Sequence, residues 1–214
     1  MKILEVKSLE LEDVKVIRYG YFPDERGFFT EPFRKSDLLG AAGVGSVAGQ
    51  EIVQVNESLS RKGVMRGLHF QWNPFMGKLV RTIAGHMIDM FLDIRKDSPT
   101  FGKISLYDMP CMDAENYCDW IWVPPGMAHG NFFLDESNRI EYLCTGEYSP
   151  GCEAAISPLA EDLDWSLCPA DLKARFDNLV SGKDLILSEK DQAGLTLAAW
   201  AGDERSANFV YGRC

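Results

Sequence analysis

Between Val14 and Ile156 the chain is written in short runs that alternate apolar with polar residues and are cut by turn formers: "VKVIRY", "EIVQVNES", "KLVRTIAG", "HMIDMFLDI", "ISLYDM", "DWIWVP", "HGNFFL", "RIEYLCTGEY" and "EAAISP". An extended chain sends successive side chains to opposite faces. A period of two, repeated over so many segments rich in Val, Ile, Phe, Trp and Tyr, therefore calls for antiparallel sheets closed into a β-sandwich or barrel. Helix is scarce in this stretch; "RKSDLLGAAG" is the exception, with Ser36 as the expected N-cap and a Gly-rich exit. After Pro158 the period changes, and Leu172, Phe176 and Leu179 recur at helical spacing. The expectation is an all-β fold, a barrel over about residues 14–157, carrying short helices in a C-terminal extension over about 158–214. A chain of 214 residues that is 46% hydrophobic can bury one good core, and no repeat or linker divides it, so residues 1–214 are read as a single domain.

Charge narrows the partners. The formal net charge is −10 and no run of Lys and Arg exceeds two residues, which leaves little from which to build a nucleic-acid groove. A local cluster could still hold a small phosphorylated ligand, because a guanidinium fork meets phosphate oxygens in paired hydrogen bonds. The N-terminal "MKILEVKSLELEDVKVIRYG" alternates charge with apolar residues, unlike a signal peptide, and no span approaches membrane length. A cytoplasmic protein with no membrane partner is expected, its six cysteines reduced, since none has C-x-x-C spacing.

Three histidines carry the question of chemistry. Barrels with histidines at the mouth often hold a metal through clustered His and Glu, yet His69, His86 and His129 lack the x-His-x-His spacing that would place two ligands on one strand face. A site of two His and a carboxylate gathered from distant strands is the remaining metal reading. His69, in "GVMRGLHFQ", could also be a core histidine satisfied by a carbonyl. Its neighbours favour a polar cavity: Gln54, Asn56 and Ser58 share one strand face, and Gly67 permits a bulge that would bring Arg66 and His69 onto the same face. His129 follows the rigid turn Pro124-Pro125-Gly126 and is either a surface turn residue or part of that cavity, while His86 has no polar company and reads as structural.

Taken together, "FPDERGFFTEPF", "QVNESLSRKGVMRGLHFQ", "GKLVRTIAGHMIDMFLDIRKDSPTFGK", "WIWVPPGMAHGNFFL", "EYLCTGEYSP" and "LSEKD" stand in the order and spacing of the dTDP-4-dehydrorhamnose 3,5-epimerase family, which this chain resembles over about residues 14–192. The resemblance implies a metal-free, cofactor-free cupin jelly roll, usually a homodimer, that acts on a nucleotide-linked 4-keto-6-deoxy sugar. By the same resemblance His69 is the general base, Asp191 its carboxylate partner, Tyr142 the general acid and Lys78 the cation beside the 4-keto oxygen. Arg26, Glu31, Gln54, Asn56, Arg66, His129 and Tyr148 match positions that line the substrate and nucleotide site, with Arg26 and Arg66 suited to the diphosphate.

The sequence also departs from the family pattern. "SLCPADLKARFDNLVSGKDLI" lengthens the connection before "LSEKD", Asn131 stands where an aromatic or aliphatic residue is commoner, Trp72, Pro74 and Phe75 are added near the cavity, and the tail after Leu195 has no counterpart. These changes touch the walls and leave two further readings open. One is an epimerase acting only at C3 or C5 of a related dTDP-, CDP- or GDP-ketosugar; the other is a sugar-nucleotide-binding cupin without catalysis.

Overall fold

The alternating runs become two stacked antiparallel sheets. The computed structural model describes residues 1–44, 47, 49–111 and 117–214. One sheet has six strands, β1 (Lys2–Ser8), β2 (Lys15–Gly20), β10 (Tyr117–Val123), β7 (Lys78–Ala84), β12 (Asn138–Cys144) and β5 (Gln54–Ser60), in that order. The other has five, in the order β13 (Glu153–Ala155), β6 (Met65–Gln71), β11 (Met127–Phe133), β8 (His86–Asp93) and β9 (Ile104–Pro110). A small hairpin, β3 (Phe22–Asp24) with β4 (Gly27–Phe29), stands apart from both.

Both faces of the sandwich are covered, which explains why several strands are apolar on both sides. Between the sheets, Val16, Val80, Met87, Phe91, Ile121, Phe133 and Ile140 form the interior. The outer face of the five-stranded sheet, through Phe70, Ile88, Met90 and Phe132, packs on Leu172 and Phe176 of helix α2 (Ala170–Ser181) and on Trp200 of helix α4 (Leu197–Gly202). Burying such a side chain is worth about 1.5–3 kcal/mol before ordering costs, so these helices are anchored by few residues. The expected helical spacing of Leu172, Phe176 and Leu179 is borne out, Leu179 packing against the same cluster.

The outer face of the six-stranded sheet has its own cover, built in part by the short helix expected in "RKSDLLGAAG". Helix α1 (Lys35–Gly40) and the residues after it place Leu38, Val44 and Val47 over Trp120 and Trp122. The helix begins earlier than the capping pattern suggests. Arg34, not Ser36, is the N-cap, and among the described residues no side chain caps the end. Arg34 is paired with Glu31 and Asp37, and Ser36 falls in the first turn.

Strand β5 is inverted relative to ordinary burial. Val55 and Leu59 point outward, 59% and 64% exposed, whereas Gln54, Asn56 and Ser58 turn toward the interior. Its pairing with β12 sets Asn56 opposite Tyr142 and Ser58 opposite Ile140, so one end of the sandwich interior is polar and open.

Candidate active site

A bulge in β6 creates the site. Met65, Leu68 and Phe70 all belong to the outer core, while Arg66 and His69 both line the inner cavity, a phase change that strict alternation forbids. The pairing of β6 with β11 shifts register between His129↔His69 and Asn131↔Arg66. Gly67 makes this possible: its φ is +114°, and a Cβ there would meet Gly130 Cα at 2.5 Å. The bulge expected at Gly67 is present, and it puts His69 beside His129 across two strands.

Asp191 reaches His69 from the far end of the chain. It lies on helix α3 (Glu189–Gln192), which is held between two bridges to the sheet region, Val64↔Ile186 before it and Ile156↔Leu195 after it. Asp191 Oδ1 is 2.7 Å from His69 Nε2 and also accepts from the Gly67 N–H at 3.3 Å. Its Oδ2 accepts from Ser188 Oγ at 2.7 Å, and Ser188 in turn caps α3 by accepting from the Asp191 N–H. Burial raises the Asp191 carboxyl, but the hydrogen bonds from His69, Ser188 and Gly67 outweigh it and leave the group below the usual aspartate value. A carboxylate can only accept, so Nε2 carries a proton, and in the neutral imidazole the lone pair is on Nδ1.

The facing sheet supplies Lys78 and Tyr142. Lys78 on β7 is opposite Cys144, and Tyr142 on β12 is opposite Val80. Burial pushes the Lys78 ammonium below the ordinary lysine value, with Cys144, Asp89 and Glu153 opposing, and among the described residues it has no hydrogen bond or ion pair. Burial pushes the Tyr142 phenol upward, which keeps it protonated and able to donate.

His69, Lys78 and Tyr142 sit where two cavities meet. The inner one, about 200 Å³, also takes in Arg66, His129, Asn131 and Ser58. The outer one, about 580 Å³, also takes in Gln54, Asn56, Tyr148 and Glu153. Nine of the eleven residues named from the sequence are thereby gathered at one site. Arg26 and Glu31 are not. Arg26 lies at the turn of the β3–β4 hairpin, its side chain 83% exposed and paired with Asp24, and Glu31 is engaged by Arg34 and the N-terminal ammonium. The hairpin is a separate two-stranded sheet, and among the described residues that line these cavities neither Arg26 nor Glu31 is found.

Some participants had weak sequence signals. Asp89 is fully buried and pairs with His129 at 2.7 Å, so His129 is a buried cavity residue and not a surface turn. The signal was available in "HMIDMFLDI", a carboxylate at an inward position of an otherwise apolar strand. Glu153 accepts from Tyr148 OH at 2.8 Å and from Lys190 at 2.7 Å, building an ion-paired wall for the outer cavity. His86 pairs with Asp108 away from the site, and each histidine thus has a different carboxylate. Among the described residues no three of His, Cys, Asp and Glu converge as metal ligands. No helix of the described chain is long and apolar enough to cross a membrane.

The family described as dTDP-4-dehydrorhamnose 3,5-epimerase matches residues 8–199. The chain belongs to that family. A Neisseria gonorrhoeae dTDP-4-dehydrorhamnose 3,5-epimerase is 36% identical over 206 residues, 95% of this chain, which spans only 55% of that relative's length. The Shigella flexneri dTDP-4-dehydrorhamnose 3,5-epimerase is 39% identical over 76% of this chain and 87% of its own. Among solved epimerases, the Legionella pneumophila dTDP-6-deoxy-D-glucose-3,5-epimerase, in complex with dTDP-4-keto-L-rhamnose, superposes with a TM-score of 0.73 at 35% identity over 91% of this chain and 93% of that one. A 3'-monoepimerase from Streptomyces bikiniensis, in complex with dTDP, superposes with a TM-score of 0.75 at 25% identity over 96% and 92% of the two chains. These epimerases share the two-sheet architecture, so the cupin-type fold expected from the sequence is the fold observed.

Proposed function

We propose that the chain epimerises a nucleotide-linked 4-keto-6-deoxy sugar, in the manner of a dTDP-4-dehydrorhamnose 3,5-epimerase, with the barrel and its C-terminal helices acting as one unit. The observation that carries this reading is the placement of His69 on the five-stranded sheet, backed by Asp191 from helix α3, and of Tyr142 and Lys78 on the sheet facing it. Inversion at carbon needs a base on one face of the ring and an acid on the other, and two opposed walls provide both.

His69 Nδ1 takes the proton from a carbon next to the ketone. The electron pair left behind moves onto the carbonyl oxygen, giving an enolate that the Lys78 ammonium stabilises. Asp191 stabilises the imidazolium so formed. Tyr142 returns a proton to the same carbon from the opposite face, and the carbonyl re-forms. Arg66 at the cavity rim suits the diphosphate, with Gln54, Asn56, His129 and Tyr148 completing the walls.

A homodimer is part of the proposal. Phe22, Phe28 and Phe29 on the hairpin are 49%, 52% and 64% exposed, beside the exposed Arg26, and such a patch favours an apolar partner surface. For Arg26 and Glu31 to meet substrate, as the family resemblance implies, they would have to do so in a second copy's site.

Inversion at a single carbon is the second reading, favoured by the likeness to the Streptomyces 3'-monoepimerase. Incubation with dTDP-4-keto-6-deoxyglucose in D2O separates the two. Deuterium at both C3 and C5 with the L-lyxo product supports the double epimerase, deuterium and inversion at one carbon identifies the monoepimerase, and no incorporation overturns the assignment to this substrate.

A further inference from the structure

The inner cavity contains two polar atoms that the chain itself leaves unmatched. Asn131 is 4% exposed and, among the described residues, its Oδ1 is buried without a hydrogen-bond partner; Ser58 Oγ is likewise buried without one. Both side chains line the same cavity of about 200 Å³. They come from opposite sheets, Ser58 on β5 opposite Ile140 and Asn131 on β11 opposite Arg66, so they approach a bound molecule from two sides. Buried amide and hydroxyl groups cost folding free energy unless something pairs with them, and buried groups left open in a native fold usually await a ligand or water. Asn131 also stands where the family resemblance leads one to expect an apolar side chain, which would have closed this wall without that cost.

The substrate chemistry identifies what could pair with them, and this step rests on the functional reading above. A 4-keto-6-deoxyhexose joined through C1 to its nucleotide offers a ketone, a ring oxygen, a methyl group and two hydroxyls, at C2 and C3. The ketone is directed to Lys78. A methyl group against Asn131 and Ser58 would leave both oxygens buried and unpaired. A hydroxyl can donate to Asn131 Oδ1 and exchange a second hydrogen bond with Ser58 Oγ. We propose that Asn131 and Ser58 form a hydroxyl-recognition subsite that grips one of the two ring hydroxyls and excludes the C6 methyl from that end of the cavity. The subsite thereby fixes which way the ring lies between His69 and Tyr142, and it selects against sugars deoxygenated at the recognised carbon.

The test compares kcat/KM for dTDP-4-keto-6-deoxyglucose with its 2-deoxy and 3-deoxy analogues, read as deuterium uptake next to the ketone, in the wild type, Asn131→Leu and Ser58→Ala. The wild type is expected to disfavour one analogue, and not the other, by about 10- to 100-fold, the usual consequence of leaving a buried hydrogen-bonding group unpaired. Asn131→Leu should lower kcat/KM for the parent by a similar factor, leave that analogue unchanged and so erase the discrimination, with Ser58→Ala a smaller step in the same direction. Melting temperatures should not fall in Asn131→Leu, because an unmatched polar group is replaced by an apolar one of similar size. Equal handling of all three sugars by the wild type, or an equal loss on all three in Asn131→Leu, would overturn the subsite while leaving the epimerase reading intact. No exchange of the parent sugar by the wild type would remove the functional reading and the subsite together.

Discussion

Asp191 Oδ1 lies 2.7 Å from His69 Nε2 although 122 residues separate the two in sequence. The carboxylate is itself fixed by Ser188 and the Gly67 N–H, so the imidazole it orients has one available tautomer. Asp191→Asn keeps the shape but can present an N–H to Nε2, moving the imidazole proton to Nδ1, where the proposed base needs a lone pair. The expected loss in kcat is about 10³-fold or more with little change in KM, measured by steady-state kinetics. A loss under about tenfold would show that the pair is structural.

The same carboxylate sets an acid limit to stability. Its folded-state value lies below that of the unfolded chain, so the folded state holds fewer protons there. Its contribution is fully present above the ordinary aspartate value of about 4 and is lost as pH falls through the lowered folded value. Thermal melts between pH 6 and pH 3 should show a shallower decline in Asp191→Asn than in the wild type. Parallel curves would contradict the assigned pairing.

Tyr142→Phe removes a donor without removing the ring that packs beside Val80 and Asn56. With the proposed base, His69, intact, solvent exchange at the substrate carbon is expected to persist while net inversion falls by about 10²–10⁴-fold, the range for a general acid. The decisive measurement is the ratio of deuterium washed in to product epimer formed. His69→Ala should abolish both. An unchanged ratio in Tyr142→Phe would move the acid elsewhere.

Lys78 links activity to alkaline pH. Its value is lowered chiefly by burial, so the charged form on which the proposed enolate stabilisation rests is lost on the basic side earlier than for an ordinary lysine. The pH profile of kcat should therefore fall below the usual lysine range. The folded state also binds fewer protons than the unfolded chain in that window, so the buried charge opposes folding at neutral pH and the opposition fades as pH rises toward the unfolded value. Lys78→Met is expected to melt at a higher temperature at pH 7 while losing activity by about 10²-fold or more. A lower melting temperature would mean that the ammonium is stabilising.

What could be read in advance divides along physical lines. The strands are legible because their alternation reports two faces, and β5 is legible as a cavity wall because Gln54, Asn56 and Ser58 share a face. The pairing of His69 with Asp191 comes only from family motifs, since nothing local at either residue specifies a contact through bridges at Ile186 and Leu195. Asp89 is visible as a carboxylate inside an apolar strand, but its partner is not, because cross-strand register is a tertiary property. The start of α1 differs from the capping pattern, with Arg34 at the N-cap and Ser36 in the first turn, because boundaries of so short a helix are set by its tertiary surroundings as well as by local pattern. Arg26 and Glu31 match family positions without lying near the cavities, because a sequence motif does not say which chain's site a residue serves.

The tightest constraint on the site is a missing side chain. Gly67 has φ +114°, and a Cβ would come within 2.5 Å of Gly130 Cα and 2.8 Å of the His129 carbonyl oxygen, both backbone atoms that cannot swing aside. Gly67→Ala must therefore reopen the β6–β11 pairing that sets His69 beside His129. Backbone strain and overpacking together should cost about 2–6 kcal/mol. Gly151 isolates the first contribution, since it has φ +85° but, among the described residues, nothing within 4 Å of the point where a methyl group would stand. Gly151→Ala should lose only about 1–2 kcal/mol, the cost of the left-handed backbone alone. Urea unfolding of both variants, with the deuterium-exchange assay run on the folded protein, measures the difference. Equal destabilisation would mean that β6 and β11 can separate freely, and the bulge would then not be what holds the two histidines together.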